Sequence, residues 1–134
     1  MADVILVPTA PGELIDKLTI LRLKEERITD SMKVANVRVE KTALLETAKA
    51  HVPPSAELDV LWEELYQINA DLWVIEDDIR DCEKAKDFGE TFIRLARAVY
   101  ITNDRRADVK KKINLLMGST LIEEKSYADH GVDT

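Results

Sequence analysis

Two polar series in the second half of the chain could do chemistry. Trp62, Tyr66, Asn69, Trp73, Glu76, Arg80 and Glu83 recur at alternating spacings of 4 and 3, so on a helix they form one stripe, aromatic at one end and charged at the other. A solvated helix face is normally rich in Lys and Glu and poor in Trp. The spacing therefore predicts that the stripe packs against another helix or a partner, with its polar end lining a cleft. Further on, Arg97, Tyr100 and Asp104 share a face, and Thr102 and Arg106 interrupt an apolar rhythm that runs through Phe92, Leu95 and Val99 and resumes at Val109, Ile113 and Leu116. Folding a hairpin about Phe88 brings to one height residues whose numbers sum to roughly 176, which sets Glu76 and Arg80 level with Tyr100 and Arg97, and Trp73 near Asn103. Trp73, Glu76, Arg80, Arg97, Tyr100, Asn103, Asp104 and Arg106 form one candidate constellation. Arginine forks could hold a phosphate or carboxylate bidentately there, with carboxylates fixing the guanidinium planes and Glu76 or Asp104 as an acid/base or orienting group. The same residues could instead form a buried ion-pair network that serves the fold.

Other chemistries find little in the sequence. Cys82 falls on an apolar seam position, His51 precedes a double proline and His130 lies near the end, so no Cys/His pair suits nucleophilic attack. No zinc spacing occurs, nor the Glu-x-x-His signature of di-metal bundles. Glu76-Asp77-Asp78 and Glu123-Glu124 could attract a hard cation, but adjacent acids on a helix point in different directions. The four glycines build neither a phosphate loop nor a dinucleotide fingerprint. No cofactor or metal is expected, and whether the chain is an enzyme stays open.

The elements that must carry these residues are helices. Of 134 residues 46% are hydrophobic, 34% charged and only 5% aromatic, which suits one domain, 1–134, with a continuous core. Residues 1–10 read as extended or a short strand, from the β-branched run Val4 to Val7. Residues 11–52 hold two helices: the first from Pro11 to Ile28, with Leu14, Leu18 and Leu21 on one face, and the second after the cap Asp30-Ser31, ending at His51-Val52-Pro53-Pro54. Residues 55–117 form a long helical hairpin. Ser55 caps its first arm, where Leu58, Leu61, Leu65, Ile68, Leu72, Ile75, Ile79 and Cys82 make a heptad seam running to about Lys86. Such an arm is about 45 Å long at 1.5 Å per residue, which predicts an elongated antiparallel bundle and a homodimer. The second arm runs from Glu90 to Met117, where Gly118 stops it, and the tail 118–134 either pairs as a short β-strand with the amino terminus, the favoured arrangement, or leaves its extreme end loose.

Charge divides between the arms. Residues 55–90 carry twelve acids and three bases, and residues 91–118 two acids and seven bases, within a chain of net charge −7. That acidic balance opposes nucleic-acid binding despite the basic second arm. The longest apolar run, Val4 to Val7, is far short of a membrane span, and one cysteine with no visible leader predicts a cytoplasmic protein.

Four motifs in this order, Pro11-Gly12-Glu13-Leu14-Ile15-Asp16-Lys17-Leu18-Thr19-Ile20-Leu21, Leu72-Trp73-Val74-Ile75-Glu76-Asp77, Asn103-Asp104-Arg105-Arg106-Ala107 and Glu123-Glu124-Lys125-Ser126-Tyr127, carry a resemblance. Over nearly its whole length the chain resembles a family of short helical bacterial and phage proteins of unknown function. The resemblance implies a single-domain helical protein with a link to cell-surface polysaccharide metabolism. It also draws Glu13, Asp16 and Lys17 into consideration and adds Glu123, Glu124, Lys125 and Tyr127 to the candidate site residues. A looser likeness to all-helical chorismate mutases rests on Ile15-Asp16, Leu21 and Glu26-Arg27, and implies a dicarboxylate clamp to which only Arg27 and Arg22 would contribute. Two readings follow: a dimeric binding or accessory protein with a protein partner, or a small all-α enzyme or sensor that holds an anionic metabolite between the long helices.

Overall fold

The computed structural model describes residues 3–131 as four helices: α1 (Pro11–Arg27), α2 (Ser31–His51), α3 (Ala56–Lys84) and α4 (Glu90–Leu116). Their ends follow local chemistry. Asp30 accepts hydrogen bonds from the Met32 and Lys33 amides, both at 3.0 Å, and Ser55 Oγ accepts from the Leu58 amide at 3.1 Å, so α2 and α3 each begin on a side-chain cap. Pro53 and Pro54 keep α2 from continuing into α3. Between α3 and α4 the left-handed residue is Lys86, with φ of 55°, while Gly89 has an ordinary φ of −82°. After α4, Gly118 with φ of 68° lets the Gly118 and Ser119 amides turn back onto the carbonyls of Leu115 and Asn114.

Helix α1 is the centre of the molecule. It packs against α2, α3 and α4, whereas the α2 backbone approaches α1 alone and meets α3 only around Trp62. This position explains why α1 buries Leu14, Ile15, Leu18, Leu21 and Leu23, residues that cover more than one face, while α2 buries only Val34, Val37 and Ala48. On one side, Ile15 joins Leu58, Leu65 and Ile68 of α3 and Val109 and Ile113 of α4. On the other, Leu14 and Leu18 meet Ala48, with Leu44, Leu45 and Trp62 at the margin. The order of contacts between α1 and α4 is opposed: residues 12, 13 and 16 meet 114, 110 and 106 respectively.

Two expectations need correction. No strand forms among the described residues, so residues 3–10 do not pair with the tail. Val4, Ile5, Leu6 and Val7 lie exposed, and the tail is held instead by ion pairs to α4. The heptad seam of α3 is buried at Leu58, Leu65, Ile68 and Leu72 and half-buried at Leu61, whereas beyond Leu72 all of Ile75, Ile79 and Cys82 are only half-buried, because α1 meets α3 and α4 at the other end. No helix of the described residues is long and apolar enough to cross a membrane.

Candidate functional site

The polar centre of the protein is Asp16, on the buried side of α1 and only 4% exposed. A carboxylate at such depth needs partners for both oxygens. Arg106 of α4 supplies a two-pronged contact, Nε to Oδ1 at 2.9 Å and Nη2 to Oδ2 at 2.5 Å, and Asn69 of α3 donates its amide to Oδ1 at 2.9 Å. Asn69 also donates to the Thr19 hydroxyl, which in turn donates to the Asp16 carbonyl. Three helices are thus joined through one carboxylate. The hydrogen bond to Asp16 raises Arg106 above its ordinary range against the opposing pull of burial, so the pair is a fixed, formally neutral unit.

Asp16 and Arg106 use only part of the guanidinium. Nη1 is left with a long 3.5 Å contact to Asn103. This edge borders a cleft of about 400 Å3, walled by Trp73, Glu76 and Asp77 of α3 and Asn103 of α4, with Ile20, Leu23 and Leu72 on its apolar side. A smaller cavity of about 110 Å3 lies where Arg106 and Lys110 face the tail residues Glu123 and Lys125.

The aromatic stripe does what its spacing implies. Trp62 packs beside Leu14 and Leu18, Tyr66 donates its hydroxyl to Glu26 and lies under the Arg22 guanidinium at 3.7 Å, and the Arg27 guanidinium sits 5.9 Å from the Trp73 ring. The bond to Glu26 raises the Tyr66 hydroxyl above its usual value. Arg22, which also pairs with Glu63, is thereby spent on aromatic and acidic neighbours, and Arg27 is on α1's last turn beside Trp73.

Not every expected residue joins the cleft. Trp73, Glu76, Asn103 and Arg106 do. Arg80 forms an exposed pair with Glu76 one turn away, and Arg97 lines a separate groove on α4 with Arg94, Ala98 and Ile101. Tyr100 is exposed and rests against His130. Asp104 turns to the tail, meeting Lys125 at 3.4 Å and His130 at 3.2 Å. A three-arginine clamp from Arg80, Arg97 and Arg106 is therefore not assembled. Trp73, Glu76 and Asn103 line one cleft, but Arg97 lies nine residues from Arg106, two and a half turns, which places it on another side of α4.

The tail is fastened along α4. Lys110 bonds Glu13 of α1 at 2.7 Å and Glu123 at 3.1 Å, and Lys111 reaches Glu124 at 3.6 Å. Tyr127 is exposed, with Lys125 5.7 Å from its ring. Burial pulls Lys110 downward, but its bonds to Glu13 and Glu123 outweigh this and leave it raised above 10.5. The Lys110 bond holds the Glu123 carboxyl below its ordinary 4.5. A depressed carboxyl contributes its tether above the unfolded value and loses it as pH falls through the folded one. Resonances of residues 121–127 are accordingly expected to sharpen as pH drops below 4.5 while those of α1 and α4 stay in place; tail resonances indifferent to pH there contradict the tether.

Sequence reasoning had reached Asp16 only through resemblance and had left Thr19, Lys110, Gly12 and Asn114 aside. Gly12 and Asn114 matter because the Asn114 carbonyl oxygen caps α1, accepting the buried Gly12 amide at 2.7 Å. The local signal available was a small residue and an acid placed among the apolar positions of the first helix. Lys17, by contrast, points to α2 and pairs with Glu40.

A sequence model of DUF6165, a family of unknown function, matches residues 5–133. The chain belongs to this family. No curated protein and no solved structure matches the chain. Among the described residues no group of three or more His, Cys, Asp or Glu side chains is placed to hold a metal ion.

Proposed function

We propose that this DUF6165 protein is a small-molecule binding protein whose cleft between α1, α3 and α4 takes a polyhydroxylated ligand. One observation carries this reading: the cleft presents, beside the Trp73 ring, the Asp77 carboxylate, the Glu76 carboxylate that also pairs with Arg80, the Asn103 amide and one guanidinium edge already neutralised by Asp16. Carboxylates accept from hydroxyls, while the Asn103 amide and the Arg106 Nη1 edge donate to them. The aromatic ring and Leu72 suit the C–H face of such a molecule. A phosphate or dicarboxylate is a poorer match, since the cleft is also lined by the acids Glu76 and Asp77 and Arg106 is the one arginine among its lining residues. The reading treats α3 and α4 as the two arms of an antiparallel hairpin, supported by the meeting of 73 with 103 and of 68 with 109.

Calorimetric melting with a panel of neutral monosaccharides and with inorganic phosphate tests this. A ligand bound at a hundred times its dissociation constant stabilises by about 2.7 kcal/mol, a readable upward shift. We expect a neutral sugar to raise the melting temperature of the wild type and not of Trp73→Ala. A shift with phosphate alone, abolished in Arg106→Lys, overturns the reading in favour of an anion site.

A further inference from the structure

The hairpin carries a second, separate face that no other helix covers among the described residues. Along α3, Asp71, Ile75, Asp78 and Cys82 recur at spacings of 4, 3 and 4; along α4, Arg94, Ala98, Ile101 and Arg105 recur at the same spacings. Each series makes one face of its helix. Neither includes the residues through which the hairpin bonds α1, which are Glu63, Tyr66 and Asn69 on α3 and Arg106, Lys110 and Asn114 on α4. On α4 the face opens into a groove of about 450 Å3, lined by the apolar Ile93, Ala98 and Ile101, by Arg94, Arg97 and Thr102, and by one acid, Glu90, at the helix start.

We propose that this face joins two copies of the chain, with α3 of each copy lying over the α4 groove of the other. Charge selects the occupant. Asp71, Asp78, Arg94, Arg97 and Arg105 make no ion pair among the described residues, although acids occupy one helix and bases the other. A two-fold contact brings Asp71 and Asp78 of one copy to the arginines of the second, and repeats the match by symmetry. An acidic ligand such as nucleic acid would meet the arginines but be repelled by α3, whose half of the hairpin holds twelve acids against three bases. Packing argues the same way. Beyond Leu72 the seam residues Ile75, Ile79, Cys82, Phe92 and Val99 are only half-buried, because the hairpin there is two helices thick; stacking two hairpins completes a four-helix layer over them.

Sedimentation equilibrium of the full chain decides the matter. The wild type is expected at twice the chain mass. Asp71→Lys with Asp78→Lys, and separately Arg94→Glu with Arg105→Glu, are each expected at the single-chain mass with helical circular dichroism intact, since these side chains are exposed. An equimolar mixture of the two variants is expected to return to the double mass. The dimer should also weaken at least about tenfold between low salt and 1 M salt, a readout that needs no variant to fold. A monomeric wild type, a dimer untouched by both reversals, a mixture that stays monomeric, or a dimer insensitive to salt overturns the proposal.

Discussion

Arg106→Met is expected to lower the stability of the fold by about 3–5 kcal/mol, because it strands the Asp16 carboxylate without its charged partner in a site that is almost closed to water. Urea unfolding would read this as a lower midpoint at unchanged slope. For a chain of this size the melting temperature should fall by roughly 10–20 °C. The companion measurement separates charge from packing. In the double variant Asp16→Leu with Arg106→Met both charges go, two apolar groups of similar volume fill the gap, and most of the loss should be recovered. Asn69 then loses one acceptor but keeps the Thr19 hydroxyl. A double variant no better than the single one would mean that the pair contributes through geometry that apolar residues cannot copy.

Gly12→Ala is expected to destabilise by about 3 kcal/mol, the upper part of the range for an overpacked contact. Helix propensity alone predicts the opposite sign, since Ala is favoured over Gly in a helix by about 1 kcal/mol. The structure reverses that preference. A Cβ on residue 12 would sit 2.5 Å from the Lys110 carbonyl oxygen and 2.8 Å from Asn114 Oδ1. The first belongs to the α4 backbone and cannot rotate away, so α1 would have to back off and stretch both the Asn114 cap and the Glu13–Lys110 pair. Thermal unfolding checks the sign directly. A variant as stable as wild type, or more so, would show that α1 and α4 do not approach as closely as described.

Much of the helical framework was legible because its signals are local. Asp30, Ser55, the Pro53-Pro54 pair and Gly118 act on residues within a turn of themselves, and each marks the helix end that was read from it. The 3.6-residue period placed Trp62, Tyr66, Trp73 and Glu76 on one stripe, and hairpin arithmetic set Trp73 beside Asn103. What was missed depends on distant partners. Asp16 and Arg106 are 90 positions apart, and nothing near either says that one carboxylate will hold three helices. Arg97 shares a face with Tyr100 and Asp104, but that face is on another side of α4 from Arg106, and height along the hairpin alone does not join the two. Val4 to Val7 have strand-like side chains, but β propensity produces a strand only where an edge is offered, and four helices offer none. The half-buried end of the heptad seam was likewise invisible, since a repeat declares that a face wants cover and not whether the same chain supplies it.

These observations make the cleft the point where the fold and the proposed role meet: Asp16 spends its charge holding Arg106, and Arg106 turns its remaining N–H groups outward beside Trp73. The most direct test is nuclear magnetic resonance titration of the protein with a neutral monosaccharide and, separately, with inorganic phosphate, following the Trp73 indole N–H and the Asn103 side-chain amide together. The account predicts saturable shifts of both signals with the sugar, lost in Trp73→Ala, and neither with phosphate. Saturable shifts with phosphate, or an indole that no sugar of the panel perturbs while the helices remain intact, would contradict it.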